Sequence, residues 1–175
     1  SVTESYVTVP TSGVKTGRTS FNGRYSQWYY RNARSKTTDQ LVDGTRSFWL
    51  SRESGESCYL ESTLEGGIKS AAFKWRQFGA GDNGYKFVLN IKIDGNPNET
   101  ITFDGADNYV NADQSFSKDF AVKSNSKLTI QNASTTSDGT TAGGRLIIGP
   151  VTITPYLLYT QKEVTIGTKQ RGYVN

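Results

Sequence analysis

The stretch Tyr85-Lys86-Phe87-Val88-Leu89-Asn90-Ile91-Lys92-Ile93 decides the fold. Tyr85, Phe87, Leu89, Ile91 and Ile93 fall on one parity, and Lys86, Val88, Asn90 and Lys92 on the other. Successive side chains of an extended strand point to opposite faces, so this spacing makes one greasy face and one polar face. Wound into a helix, the same residues would scatter around the circumference, so the segment is predicted as a strand. Just before it, Ala71, Phe73 and Trp75 alternate with Ala72, Lys74 and Arg76. The glycine-rich stretch 77–84 between them reads as the loop of a hairpin.

The same grammar extends along the chain. Turn pairs recur at Asn22-Gly23, Asp43-Gly44, Asn83-Gly84, Asp94-Gly95, Asp104-Gly105 and Asp138-Gly139. Glycine supplies the positive φ of such turns, and Asn or Asp tolerates it. Between them, strands are expected at 5–9, 27–31, 46–51, 57–63, 100–103, 115–122, 127–132, 145–148, 151–156 and 163–166. Gly149-Pro150 interrupts its pattern as a bulge or a sheet-switching corner would. No segment has sustained helical periodicity, and so many short strands exceed one comfortable open sheet. The expected fold is all-β, a two-sheet antiparallel β-sandwich over residues 1–166, with 167–175 as a polar tail or linker.

Composition bounds the chemistry. The 175 residues suffice for one domain with a real core, and Tyr, Phe and Trp supply its area. A formal net charge of +4 is mild, favouring anionic partners slightly but falling short of a typical nucleic-acid binder. No apolar run reaches the roughly 20 residues of a membrane helix. The chain opens at Ser1 and lacks Met, as a mature or excised fragment would. With no histidine, a Ser-His-Asp or Cys-His nucleophile and a His-ligated metal centre are excluded. The lone cysteine, Cys58, rules out an internal disulfide and reads as a small buried hydrophobe.

Carboxylate-pair chemistry survives, but the acids Asp39, Asp43, Asp82, Asp94, Asp104, Asp107, Glu53, Glu56 and Glu61 form no evident pair. No cofactor is implied. Asp104 and Asp107, with Asp113 nearby, could gather oxygens for a structural Ca²⁺, although turn-forming Asp explains the same letters.

Recognition chemistry is denser. In Ser47-Phe48-Trp49-Leu50-Ser51, Phe48 and Leu50 take the inward face and Trp49 stands outward, able to stack on a sugar ring. Tyr59 holds a similar place between Cys58 and Leu60, and Tyr29 with Arg31 adds recognition residues to 28–31. Lys74, Arg76, Lys86 and Lys92, with Asn90 among them, share the outward side of the expected hairpin as a basic stripe. The plainer alternatives are rings covered by loops and a solvated charged face.

Phe21-Asn22-Gly23 followed by Trp28-Tyr29-Tyr30 and Arg34, then Leu60-Glu-Ser-Thr-Leu-Glu-Gly-Gly67-Ile68, Phe73-Lys74-Trp75, Val88 to Gly95, and Gly143 to Ile153, resemble jelly-roll modules of secreted Bacteroidetes proteins. The resemblance covers about two-thirds of the chain, mostly through turn glycines and core hydrophobes, and carries over no ligand contact. It implies a jelly-roll-like accessory module at the cell surface or outside the cell, commonly glycan-binding. The functional expectation is a non-catalytic carbohydrate-binding module whose partner is a glycan, anionic ones included. Next come a structural or adhesive domain that meets neighbouring domains, then a carboxylate-dependent polysaccharide-active enzyme. Nucleic-acid binding ranks last.

Overall fold

In the computed structural model, which describes residues 1–79, 81, 84–104 and 111–156 (backbone alone at 103–104), the alternation at 85–93 does form a strand. The strands are β1 (Val2–Thr3), β2 (Thr19–Asn22), β3 (Gln27–Arg31), β4 (Ala33–Arg34), β5 (Phe48–Leu50), β6 (Tyr59–Leu64), β7 (Ile68–Gln77), β8 (Tyr85–Ile93), β9 (Asn96–Asp104), β10 (Gln114–Val122), β11 (Ser126–Asn132), β12 (Thr135–Thr136), β13 (Leu146–Ile148) and β14 (Thr152–Thr154). They make two antiparallel sheets packed as a jelly-roll-like sandwich. Sheet A holds β1, β14, β7, β13, β5, β4 and β10, and sheet B holds β12, β8, β11, β6, β3, β2 and β9. The expected strand at 163–166 lies outside the described residues.

Burial follows parity. Phe87, Leu89, Ile91 and Ile93 of β8 are buried, as are Ala71, Phe73 and Trp75 of β7. Lys86 and Lys74 are exposed on the opposite sides. Facing rows meet between the layers, where Tyr6, Phe21 and Tyr30 surround Phe48 with ring centroids 4.8, 5.5 and 5.0 Å away. Each such side chain removed from water contributes roughly 1.5–3 kcal/mol.

The 71–93 hairpin is not formed. β7 is paired on one edge by β10, with Phe116 opposite Phe73, and on the other by β13 and β14. Neither edge is left for β8, so the chain crosses from sheet A to sheet B, where β8 takes β9 on one edge and β11 then β12 on the other. Period-two patterning fixes which way a side chain faces but not which strand lies beside it.

Two further details differ or sharpen. The expected strand at 5–9 is a turn, with the Val9 N–H donating to Tyr6 O at 3.0 Å, although Tyr6 and Val9 are buried as apolar residues should be. Gly149-Pro150 is a bulge within sheet A. Ile148 faces Trp75 and Thr152 faces Ala72, so one extra residue sits on that strand.

A buried polar hub ties the layers together. Asn132 at the end of β11 donates from Nδ2 to Leu50 O (3.3 Å), Ser51 O (3.2 Å) and Gly144 O (2.9 Å). Its Oδ1 accepts from the Ser134 amide at 3.1 Å and hydroxyl at 2.7 Å. Asn132→Leu strands several of these groups, each costing about 1–3 kcal/mol. The expected loss of stability is about 2–4 kcal/mol, read as a lowered urea midpoint with an unchanged m-value.

Candidate functional site

The outer face of sheet B carries two register rows. Residues directly opposite in an antiparallel pair share a face. Arg31, Tyr59, Gln131, Asn90 and Thr100 form one row across β3, β6, β11, β8 and β9. Ser20, Tyr29, Glu61, Thr129 and Lys92 form the other across β2, β3, β6, β11 and β8. With strands ~4.8 Å apart, four steps span about 19 Å. Tyr59, Gln131, Asn90 and Lys92 are all partly exposed, and Thr100 Oγ1 donates to Asn90 Oδ1 at 3.1 Å. Among the described residues neither Lys92 nor Lys86 has an ion-pair partner.

Glu61 sits at the centre of this face with its side chain only 10 % exposed. Its Oε1 accepts from Arg18 Nε (3.3 Å) and Nη2 (3.1 Å), and its Oε2 from Thr129 Oγ1 (3.4 Å), with Lys127 Nζ 3.9 Å away. The Arg18 guanidinium lies 3.4 Å from the centroid of the Tyr29 ring, and Tyr29 OH donates to Gln27 Oε1 at 3.1 Å. Arg31 reaches Glu56 at 3.1 Å and Thr16 O at 3.2 Å. The face therefore combines aromatic rings, amides, hydroxyls and paired and unpaired cations.

The structure brings together Tyr29, Arg31, Tyr59, Lys86, Asn90 and Lys92, and separates them from Trp49, Lys74 and Arg76. The latter lie on the outer face of sheet A, where Arg34, Trp49, Ile147 and Arg76 make a row. Because β7 and β8 belong to different sheets, the basic stripe of the expected hairpin is split between opposite sides of the sandwich.

Trp49 has the outward parity expected of it, yet it is only 8 % exposed. Leu41 packs over it, Phe78 meets its ring edge-on at 5.9 Å, and the Arg34 guanidinium stacks 4.4 Å from its centroid. Arg34 is itself held by the buried Asp39 through a fork at 3.1 and 3.2 Å. Arg76 donates to Gln40 O at 2.8 Å, and Lys74 lies 3.7 Å from Asp43. These residues strap the segment 36–46 over sheet A, so the indole packs a second, smaller core and offers no stacking surface.

Of the calcium candidates, only Asp113 lies fully within the described residues. Asp113 Oδ1 accepts from the Val42 amide at 2.9 Å, while Asp107 and the side chain of Asp104 lie outside the described residues. Among the described residues, no group of three acidic or cysteine side chains is placed to hold a metal. Cys58 is buried, and burial is the main force pushing its thiol pKa up.

Sequence reasoning missed Arg18, Thr129 and Gln131, and named Glu61 only among the acids. Glu61 shares the parity of Tyr59, a signal that could have placed it on this face. Arg18 lies outside any strand and gave none.

No protein-family model and no curated protein matches the sequence. Among solved structures, the fold is similar to the K2 cleaved adhesin domain of Lys-gingipain, with a TM-score of 0.52 and 12 % identity over 87 % of this chain and 98 % of that one. It is also similar to TmCBM61 in complex with beta-1,4-galactotriose, with a TM-score of 0.46 and 11 % identity over 86 % and 94 % of the two chains. For the family 35 carbohydrate binding module from Clostridium thermocellum the TM-score is 0.41 at 12 % identity, covering 77 % and 97 %. The chain spans only 30 % of the Agl-KA catalytic domain, another structure of similar fold. These likenesses bear on the fold alone.

Two outcomes follow from the packing. Trp49→Ala lowers stability by about 3 kcal/mol, the usual scale for emptying an aromatic site, as read by urea denaturation. Cys58 in the folded protein resists a thiol reagent, and its labelling rate tracks global unfolding as urea is raised.

Proposed function

We propose that this chain is a non-catalytic carbohydrate-binding module that works outside the cell or at its surface as an accessory domain of a larger protein. The observation that carries this reading is the row Tyr59, Gln131, Asn90 and Thr100 on the outer face of sheet B. The partly exposed phenol ring of Tyr59 offers an apolar surface to the C–H face of a sugar and a hydroxyl at its tip. The amides and the threonine hydroxyl beside it both donate and accept, as sugar hydroxyls require. A span of about 14 Å, three strand spacings, suits an oligosaccharide better than a single sugar. Lys92 and Lys86, without an ion-pair partner among the described residues, favour an anionic glycan. The carbohydrate-binding modules of similar fold support the reading.

Affinity electrophoresis in gels containing neutral and acidic polysaccharides tests this. The protein is expected to be retarded by at least one of them, and Tyr59→Ala to weaken that binding roughly tenfold, equivalent to about 1.4 kcal/mol of aromatic contact. Unaltered migration in every gel overturns the proposal. A second reading is an adhesive domain that presses the same partly exposed tyrosines against a neighbouring domain or subunit. Concentration-dependent mass in light scattering together with an absence of glycan binding favours it.

A further inference from the structure

The Arg18–Tyr29–Glu61 assembly is more than a surface ion pair. Arginine has five N–H donors in a rigid plane. In Arg18, Nε and Nη2 both aim at Glu61 Oε1, which uses one edge of the guanidinium. The ring of Tyr29 covers one flat side at 3.4 Å. The Nη1 donors and the second Nη2 hydrogen have no partner among the described residues, and the side chain remains 49 % exposed. The plane is thus held from beneath and from one side, while its other edge stays open.

Such an edge matches a planar carboxylate, which accepts two parallel N–H bonds in the same plane. The surroundings agree in charge. Arg18, Arg31, Lys92 and Lys127 lie on this face, and its acids Glu56 and Glu61 both already face a cation. Resting on the reading of this face as a glycan site, we propose that Arg18 is its specificity-determining residue. It reads the carboxylate of a uronate-bearing glycan, and Tyr29 and Glu61 position it.

The assembly explains two otherwise awkward features. Tyr29 has the parity of a stacking platform, but its ring is already occupied by Arg18 and serves the guanidinium instead of a sugar. Glu61 places a negative charge at the centre of a face meant for an anion. Tied to Arg18, it orients the fork and leaves the free edge outward.

Isothermal titration with polygalacturonate, its methyl ester and dextran sulfate tests the inference, because the ester keeps the polymer and loses the carboxylate charge. The wild type is expected to bind polygalacturonate at least roughly tenfold more tightly than the ester, the scale of a charge-assisted hydrogen bond. In Arg18→Gln that ratio falls towards one. Arg18→Lys does not restore it, since an ammonium keeps the charge without the fork. Tyr29→Leu, which frees the guanidinium from its support, lowers the ratio as well, while circular dichroism of each variant verifies the fold. An unchanged ratio in Arg18→Gln, full activity of Arg18→Lys, or tighter wild-type binding to dextran sulfate than to polygalacturonate overturns the inference. Equal binding of neutral and acidic glycans overturns it too and leaves the glycan reading standing, whereas binding to no glycan at all removes that reading first.

Discussion

The register of β8 on β11 and of β11 on β6 is the constraint from which both the core and the candidate site derive. Ile91 faces Ile130 and Ile130 faces Leu60, all toward the second sheet, while Asn90 faces Gln131 and Gln131 faces Tyr59, all toward solvent. Because side chains alternate with a period of two, these are one fact seen from two sides. A slip of one residue would drive Lys92, Asn90, Gln131 and Tyr59 into the core and expose Ile91, Ile130 and Leu60. Burial of the inner row is worth several times the interaction of any surface pair. The polar row is therefore held in place by hydrophobic free energy that it does not itself supply.

Polar groups inside the sandwich sharpen the same register. Asn132 continues the inner row of β11 opposite Leu89, yet its amide binds carbonyls of β5 and of the segment leading to β13, two strands of sheet A. A hydrophobe there would bury as well but would be indifferent to a shift between the layers. The amide has few satisfactory positions, so it fixes how sheet A sits over sheet B. Tyr6 serves likewise at the other flank. Its hydroxyl donates to Gly149 O at 3.0 Å in the bulge, and burial pushes its pKa upward.

How much of this was legible in the sequence depends on whether the cause was local. Phe87, Leu89 and Ile91 announced their facing because alternation is a local property, and so did Phe48 and Leu50. The partner of each strand was not announced. Proximity in sequence suggested that 71–76 pairs with 85–93, but β7 pairs with β10 and β13–β14 far along the chain. Trp49 failed for a related reason. Its parity was right, but parity does not reveal that Asp39, Arg34 and Arg76 would strap a loop over it. Tyr29, Arg31, Tyr59, Lys86, Asn90 and Lys92 stayed together because all lie on strands of sheet B, with outward parity. Arg18 was invisible because its place depends on two side chains of other strands and on no pattern of its own.

The electrostatics of the face also differ from what a count of basic residues suggests. Arg18 has Glu61 and Arg31 has Glu56, so the arginines nearest the tyrosines are largely neutralised in the far field. What is left is a short-range arrangement of donors in defined planes, with lysines at the periphery. A bare cluster of lysines attracts any polyanion and weakens steeply with salt as counterions return. Oriented guanidinium donors backed by their own carboxylates depend more on geometry and less on the summed charge. A partly exposed pair such as Arg18–Glu61 contributes little to folding, since solvent screens it and its side chains must be ordered. Its position above Tyr29 is thus better explained by what it presents outward than by what it adds to the stability of the sandwich.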